Sequence, residues 1–312
     1  MLENINEDVR NYELGRFRAQ FNSSIADINT NPELTFHLRI LFRQSADHQW
    51  AFDSENMPFP VNYWPPEEWS RFKQTIINQS QRFWNGKFWL IPPAHCFHLI
   101  KYDNPTPLMP NLASTQQYLA YSQRPGYIAG LATSYNVYCK VRITETHSPS
   151  HAHLTITAPH LNEVDNGRYI NSVVHGVGNF YSGIVNTRRF DPVHGVNLEQ
   201  RQFLHEIGHA LGQRHIGFYS DTTLCEEAPH HSSGAGHSAC YEGDNATEAS
   251  NVMGMGDQLS AFNADPWLDF MAQYTHTDKA HWGVSRHRVY PRVVIGQNLL
   301  DANLNPYSIP FL

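Results

Sequence analysis

Five fixed positions in one short stretch could do chemistry: His205-Glu206-Ile207-Gly208-His209-Ala210-Leu211-Gly212-Gln213-Arg214-His215, which reads H-E-x-x-H-x-x-G-x-x-H. On a helix, positions i and i+4 share a face, so His205 and His209 aim at one point. Two imidazoles held that way suit a zinc ion at about 2.0–2.1 Å from each nitrogen. Glu206 sits beside the first ligand and faces the open side of such an ion, where it can hold a water and take its proton. His215 cannot share the helix, because ten helical residues would carry it about 15 Å along the axis. The helix must therefore end near Gly212, where a residue without Cβ can turn left-handed and bring the chain back. Three protein ligands leave a fourth position open, which marks a catalytic rather than a structural zinc. The chain has 19 histidines, so isolated pairs arise by chance. All five positions recur by accident in roughly two of ten thousand such chains.

A second motif lies downstream: Ser250-Asn251-Val252-Met253-Gly254-Met255-Gly256, with Met253 placed 38 residues after His215. Together the two motifs resemble the metzincin clan of zinc endopeptidases. The resemblance implies that a tight turn sets Met253 beneath the metal-binding histidines, with Met255 as the other choice. It implies an α+β fold. An N-terminal extension, 1–32, would precede an upper lobe, 33–215, with a twisted mixed five-stranded sheet and two long helices. A smaller, mostly irregular lower lobe, 216–312, would follow, with the methionine turn, a C-terminal helix and a tail. The implied activity is peptide-bond hydrolysis with one catalytic Zn2+, a protein or peptide substrate, and a place outside the cell. In the clan, an edge strand above the cleft pairs with an extended substrate. Leu154-Thr155-Ile156-Thr157-Ala158 is the segment expected in that role. The sequence departs from the clan at two points. Many members carry a tyrosine two residues after the turn methionine, whereas Met255 stands here, so no tyrosine role carries over. The residue after the third histidine, Ile216, assigns no subfamily.

Bulk properties narrow the classes. The 312 residues fit one large domain or two lobes. A net charge of −7 with no basic run argues against nucleic acid as a partner. No apolar stretch approaches the 18 residues or so needed to span a membrane. The acidic opening, Met1 to Asp8, is not a secretory signal. Export with a removed signal, export by another machine and an intracellular life are the three readings, and the resemblance favours the first two. Oligomeric state is not legible. Of four cysteines, none forms C-x-x-C. The pairing expected is Cys225–Cys240 with Cys96–Cys139, because the first pair brackets one loop; four reduced thiols in the cytosol are the alternative. Two rival functions stay open. One is a zinc amidase or effector hydrolase with a single specialised target, and the other is a catalytically silent binding protein.

These residues must be positioned by elements. Residues 1–32 are polar, with a short helix expected around Val9–Phe21 and a removable pro-segment conceivable. Glu33–Phe42 alternates Leu34, Phe36, Leu38, Ile40 and Phe42 on one face, a strand pattern. Pro58–Pro66 reads as a loop. A helix opens at Pro65-Pro66-Glu67-Glu68, with proline and acid in its first turn, and runs to about Arg82. Phe88–Ile91 follows as a strand, with a right-handed crossover if the strands are parallel. Pro92–Thr133 reads as a long insertion. Tyr135–Thr144 is a third strand, Leu154–Thr157 a fourth whose flanking prolines and histidines suit an edge, and Tyr169–Val174 a fifth. The histidine helix should start near Val196–Leu198, with Phe203, Leu204, Ile207 and Leu211 in the core and Gly208 allowing a close approach. A further helix should cover Asp265 to Tyr274, and Arg288–Ile295 is strand-like. Two more histidine groups, His147, His151, His153 and His160, and His230, His231 and His237, could hold a second metal or be solvated loops. No D-x-D-x-D-G run supports a calcium loop.

Overall fold

The computed structural model describes residues 5–11, 15–22, 31–45, 50–52, 58–93, 96, 99–102, 130–134, 136–161, 172–174, 177–179, 186–191, 195–220, 225, 240–241, 243–287 and 292–295. Among these the protein is α+β, built on a mixed sheet of nine strands. The sheet begins with β1 (Ile5–Asn11) and β2 (Gly15–Asn22), an antiparallel hairpin. The short helix expected around Val9–Phe21 is therefore corrected to strand. The reason is period: buried Phe17, Ala19 and Phe21 alternate with Arg16, Arg18 and Gln20, whereas a helix would set Ala19 on the far side from Phe17 and Phe21. β2 pairs with the first half of β3 (Glu33–Gln44), so residues 15–22 belong to the core rather than to an appendage. β3 is the strand its alternation predicts. Leu34, Phe36, Leu38 and Ile40 are fully buried, and Glu33, Thr35, His37 and Arg39 face the other way.

Part of the expected loop Pro58–Pro66 is a small hairpin of β4 (Trp50–Phe52) and β5 (Pro58–Pro60). The helix α1 (Pro66–Trp84) starts on Pro66, carries Glu67 and Glu68 in its first turn, and buries Phe72, Ile76, Ser80 and Trp84 at intervals of four. β6 (Trp89–Ile91) then returns. β7 (Ile100–Tyr102) and β8 (Gly130–Ser134) pair outside the main sheet, and most of the expected insertion lies outside the described residues. β9 (Val137–Glu145) runs parallel to β3, and β6 is antiparallel to β9. The strand after α1 is thus not parallel to β3, and the parallel partner, β9, arrives three strands later.

β10 (Leu154–Ala158) is a strand with Leu154, Ile156 and Ala158 buried, but it is not an edge. Its full length pairs with Ile40–Gln44 of β3, and Thr155 to Thr157 pair on the other side with a strand at Val177–Asn179. The expected role of Leu154, Thr155, Ile156, Thr157 and Ala158 as a free substrate edge is therefore corrected. The prolines and histidines that suggested an edge sit in the flanking turns, and the strand's own groups are bonded on both sides. Among the described residues the sheet ends there with β11 (Ser172–Val174), antiparallel to β12 (Val177–Asn179) and close to the histidine helix.

β13 (Asn186–Asp191) and β14 (Val196–Arg201) form a hairpin, so the helix expected from Val196–Leu198 starts later, as α2 (Gln202–Ala210). Pairing with β13 satisfies the backbone of 196–201 in extended form. Then come α3 (Gly217–Ser220), α4 (Ala246–Ala249) and α5 (Asp265–Thr275), β15 (Gly283–Ser285) against β6, and β16 (Arg292–Ile295) against β8. The sheet is larger than the expected five strands. Among the described residues only α1, at 19 residues, is long, while α2 has nine.

One face of the sheet carries the core. Trp267 of α5 stacks on Phe36 at 4.8 Å, Phe72 of α1 meets Phe42 edge-on, and Trp84 Nε1 donates to the Leu204 carbonyl of α2 at 3.2 Å. The opposite face is polar, and Arg18, Gln20, His37, Arg39, Arg142 and Thr144 border an open hollow of about 430 Å³. The expected Cys96–Cys139 bridge does not form. Both cysteines are free and packed as small apolar side chains, with burial pushing their thiol pKa values up. Cys225–Cys240 is bridged. No helix among the described residues is long and apolar enough to cross a membrane.

Candidate metal centre

Helix α2 follows β14 directly and buries every residue from Phe203 to Ala210. Phe203, Leu204, Ile207 and Leu211 lie in the core as expected. His205 and His209 share the remaining face one turn apart. Chain reversal occurs where the sequence demanded it: Gly212 has φ +89°, and the Gln213 amide donates back to the Gly208 carbonyl at 2.9 Å. His215 then swings under His209, and the next amide, Ile216, donates to the Met253 carbonyl at 3.0 Å.

The three imidazoles converge through one nitrogen each. His209 Nε2 is 3.1 Å from His205 Nε2 and 3.1 Å from His215 Nε2. Two ligands of a tetrahedral ion at about 2.0–2.1 Å would lie about 3.3 Å apart. The other ring nitrogens settle the tautomers of two of them. His205 Nδ1 is 2.7 Å from the Val252 carbonyl and His209 Nδ1 is 2.9 Å from the Gln213 carbonyl. A carbonyl oxygen only accepts, so both Nδ1 atoms carry the proton; Gln200 Nε2, 3.3 Å from His205 Nδ1, is the longer contact and has two carbonyls, Val252 and Gly254, for its own hydrogens. In a neutral ring Nε2 then bears a lone pair. Both rings are neutral near pH 7, because burial pushes His205 down to about 3, with His209 adding to the shift, and pushes His209 down to about 4. The Nε2 atoms of His205 and His209 therefore face each other as two lone pairs with no proton between them. A cation at that point turns a repulsion into two bonds. The donor set fits a metal ion, and the carbonyls that fix the rings are the outer partners such a site needs.

Asn251 holds the turn below from within. Asn251 is 1% exposed; its Oδ1 accepts from the Met253 amide at 2.8 Å, and its Nδ2 donates to Ser260 Oγ at 2.8 Å and Asn263 Oδ1 at 2.9 Å. Gln213 Nε2 donates to the Asn263 carbonyl at 2.6 Å, which ties the chain after α2 to the same cluster. Gln200 Nε2 donates to the Gly254 carbonyl at 2.6 Å, so β14 clasps the turn from the other side. Met253 is the methionine against the helix. A Cβ on Gly208 would stand 2.5 Å from Met253 Sδ and 3.0 Å from Trp84 Cζ2. Met255 packs elsewhere, with Leu198 and Ala249.

Glu206 is buried beside the cluster, and its charge reaches Tyr241. Tyr241 completes the surroundings of the cluster, and no sequence motif marks it. Its ring centroid lies 4.1 Å from that of His215 and 5.8 Å from that of His205. Burial, then the Glu206 carboxylate, push its hydroxyl up to about 12, so it stays protonated at neutral pH. Nothing in the sequence separates it from the other tyrosines except its place next to Cys240. Of the further histidines, His153 accepts from the Arg39 amide through Nδ1, and His160 pairs with Glu68 at 3.0 Å. With His147 and His151 they form no metal-sized group among the described residues. His230, His231 and His237 lie outside the described residues.

No protein-family model, no curated protein and no solved structure matches this chain.

Proposed function

We propose that the chain is a zinc-dependent endopeptidase of metzincin type, exported from the cell. One observation carries the reading: the Nε2 atoms of His205, His209 and His215 converge, while Nδ1 of the first two faces a backbone carbonyl. The H-E-x-x-H-x-x-G-x-x-H spacing and the methionine packed on Gly208 support the same assignment. The Cys225–Cys240 bridge is compatible with an oxidising location.

His205, His209 and His215 would hold the ion through Nε2. Zinc held there would supply Lewis acidity, to polarise a scissile carbonyl and make water nucleophilic near neutral pH. Glu206 takes the proton of the attacking water on its carboxylate and passes it to the leaving nitrogen. Tyr241 keeps its hydroxyl proton beside Glu206 and can donate a hydrogen bond. The Val252 and Gln213 carbonyls hold the imidazoles in the ligating tautomer throughout.

The test is hydrolysis of a peptide library by the disulfide-bonded protein. A chelator should abolish cleavage and zinc should restore it. Glu206→Gln should keep fold and metal but lose turnover by about 10²–10⁴-fold. Near-normal turnover in that variant refutes the role.

A further inference from the structure

His215 belongs to two ligand sets. One is the histidine trio. The other is His215 with Cys225 and Cys240, whose ligand atoms lie within 4.8 Å of one another. As a disulfide the sulfurs offer no thiolate. Tyr241, next to Cys240, rests against the His215 ring, its centroid 4.1 Å away. Both cysteines are buried, Cys225 at 4% and Cys240 at 1% exposed, and their Cα atoms are 4.9 Å apart.

We propose that reducing Cys225–Cys240 creates a second metal site, Cys225–Cys240–His215, which takes the ion and His215 away from His205 and His209. The inference rests on the trio being a metal site. The balance is that of thiol–disulfide exchange with a dithiol reductant. The protein S–S bond breaks, an S–S bond forms in the reductant, and two electrons and two protons pass to the cysteines. Each thiol then releases its proton to solvent as it binds. Zinc binds thiolate at about 2.3 Å, and a tetrahedral ion would hold the two sulfurs about 3.8 Å apart, within reach of neighbouring Cα positions like these. Two thiolates and an imidazole cancel the ion's double charge, whereas three neutral imidazoles cancel none of it and leave only the Glu206 carboxylate nearby. The bridge thus keeps the histidine site intact in an oxidising place, and its reduction dismantles that site.

The experiment compares oxidised protein with protein reduced by a dithiol and freed of it, each loaded with one equivalent of zinc and read by X-ray absorption. Thiol counts after denaturation, two against four, define the forms. The oxidised form should show nitrogen and oxygen neighbours only, and the reduced form two sulfurs at about 2.3 Å. A folded, reduced protein with no sulfur in the shell overturns the proposal, as does a reduced protein whose far-ultraviolet dichroism is lost. Cys225→Ser leaves Cys240 unbridged without any reductant and should show one sulfur; none contradicts the site. Oxidised protein that binds no zinc sinks the histidine trio instead, whatever the reduced form shows.

Discussion

Gly208 tests whether the turn methionine is truly set against the histidine helix. In an exposed helix interior, Gly→Ala stabilises by about 1 kcal/mol. Here the added Cβ would meet Met253 Sδ at 2.5 Å and Trp84 Cζ2 at 3.0 Å. Neither neighbour gives easily: Met253 is 1% exposed, and Trp84 is fully buried with its Nε1 bonded to Leu204. Overpacking of this kind costs about 1–3 kcal/mol. The propensity gain offsets part of that, so Gly208→Ala should be destabilising by up to about 2 kcal/mol. The assay is urea unfolding of metal-free protein, repeated in a Met253→Ala background. Removing Sδ leaves only the Trp84 contact, so Gly208→Ala should there become neutral or stabilising. The coupling should reach at least about 1 kcal/mol, beyond the 0.3–0.5 kcal/mol or so within which distant mutations add. A gain of about 1 kcal/mol from Gly208→Ala in the wild-type background would refute the packing.

Two further outcomes follow from the same cluster. Asn251→Ala removes the side chain that bonds the Met253 amide, Ser260 and Asn263 in a buried site, and should cost about 3 kcal/mol by urea unfolding; a loss under about 1 kcal/mol would show that the turn holds without it. In metal-free protein, His205 and His209 titrate near 3 and 4 rather than 6.5, so the unfolded chain binds more protons between those values. Their contribution to stability is present above pH 6.5 and is lost as pH falls toward 4. Saturating zinc should raise the melting temperature at pH 7 and lose that effect on acidification. A metal-free melting temperature flat from pH 7 to 4.5 would contradict the burial of both rings.

What the sequence showed was local. The i, i+4 pair, the reversal at Gly212 and the alternation of Leu34, Phe36, Leu38 and Ile40 are each written in a few adjacent residues, and the structure has them. The misses are nonlocal. Leu154–Ala158 could not be told from an edge, because its second neighbour, Val177–Asn179, is two short elements away. Residues 196–201 suit the start of a helix locally, and their partner, β13, decides that they form a strand. Phe17 and Phe21 are four apart, which fits a helix as well as a strand until Ala19 is counted as buried too. Cys96 and Cys139 carry no mark that separates a core thiol from half of a bridge. Tyr241 follows the bridged Cys240 and meets His215 from a distant stretch of chain, which no local pattern marks.

The most direct measurement is titration of zinc into metal-free, disulfide-bonded protein, with His209→Ala beside it. The account predicts one equivalent bound by the wild type and at least a hundredfold weaker binding by the variant, because His209 Nε2 is 3.1 Å from both other ligand nitrogens. Absence of saturable binding in the wild type, or equal affinity in His209→Ala, would contradict it.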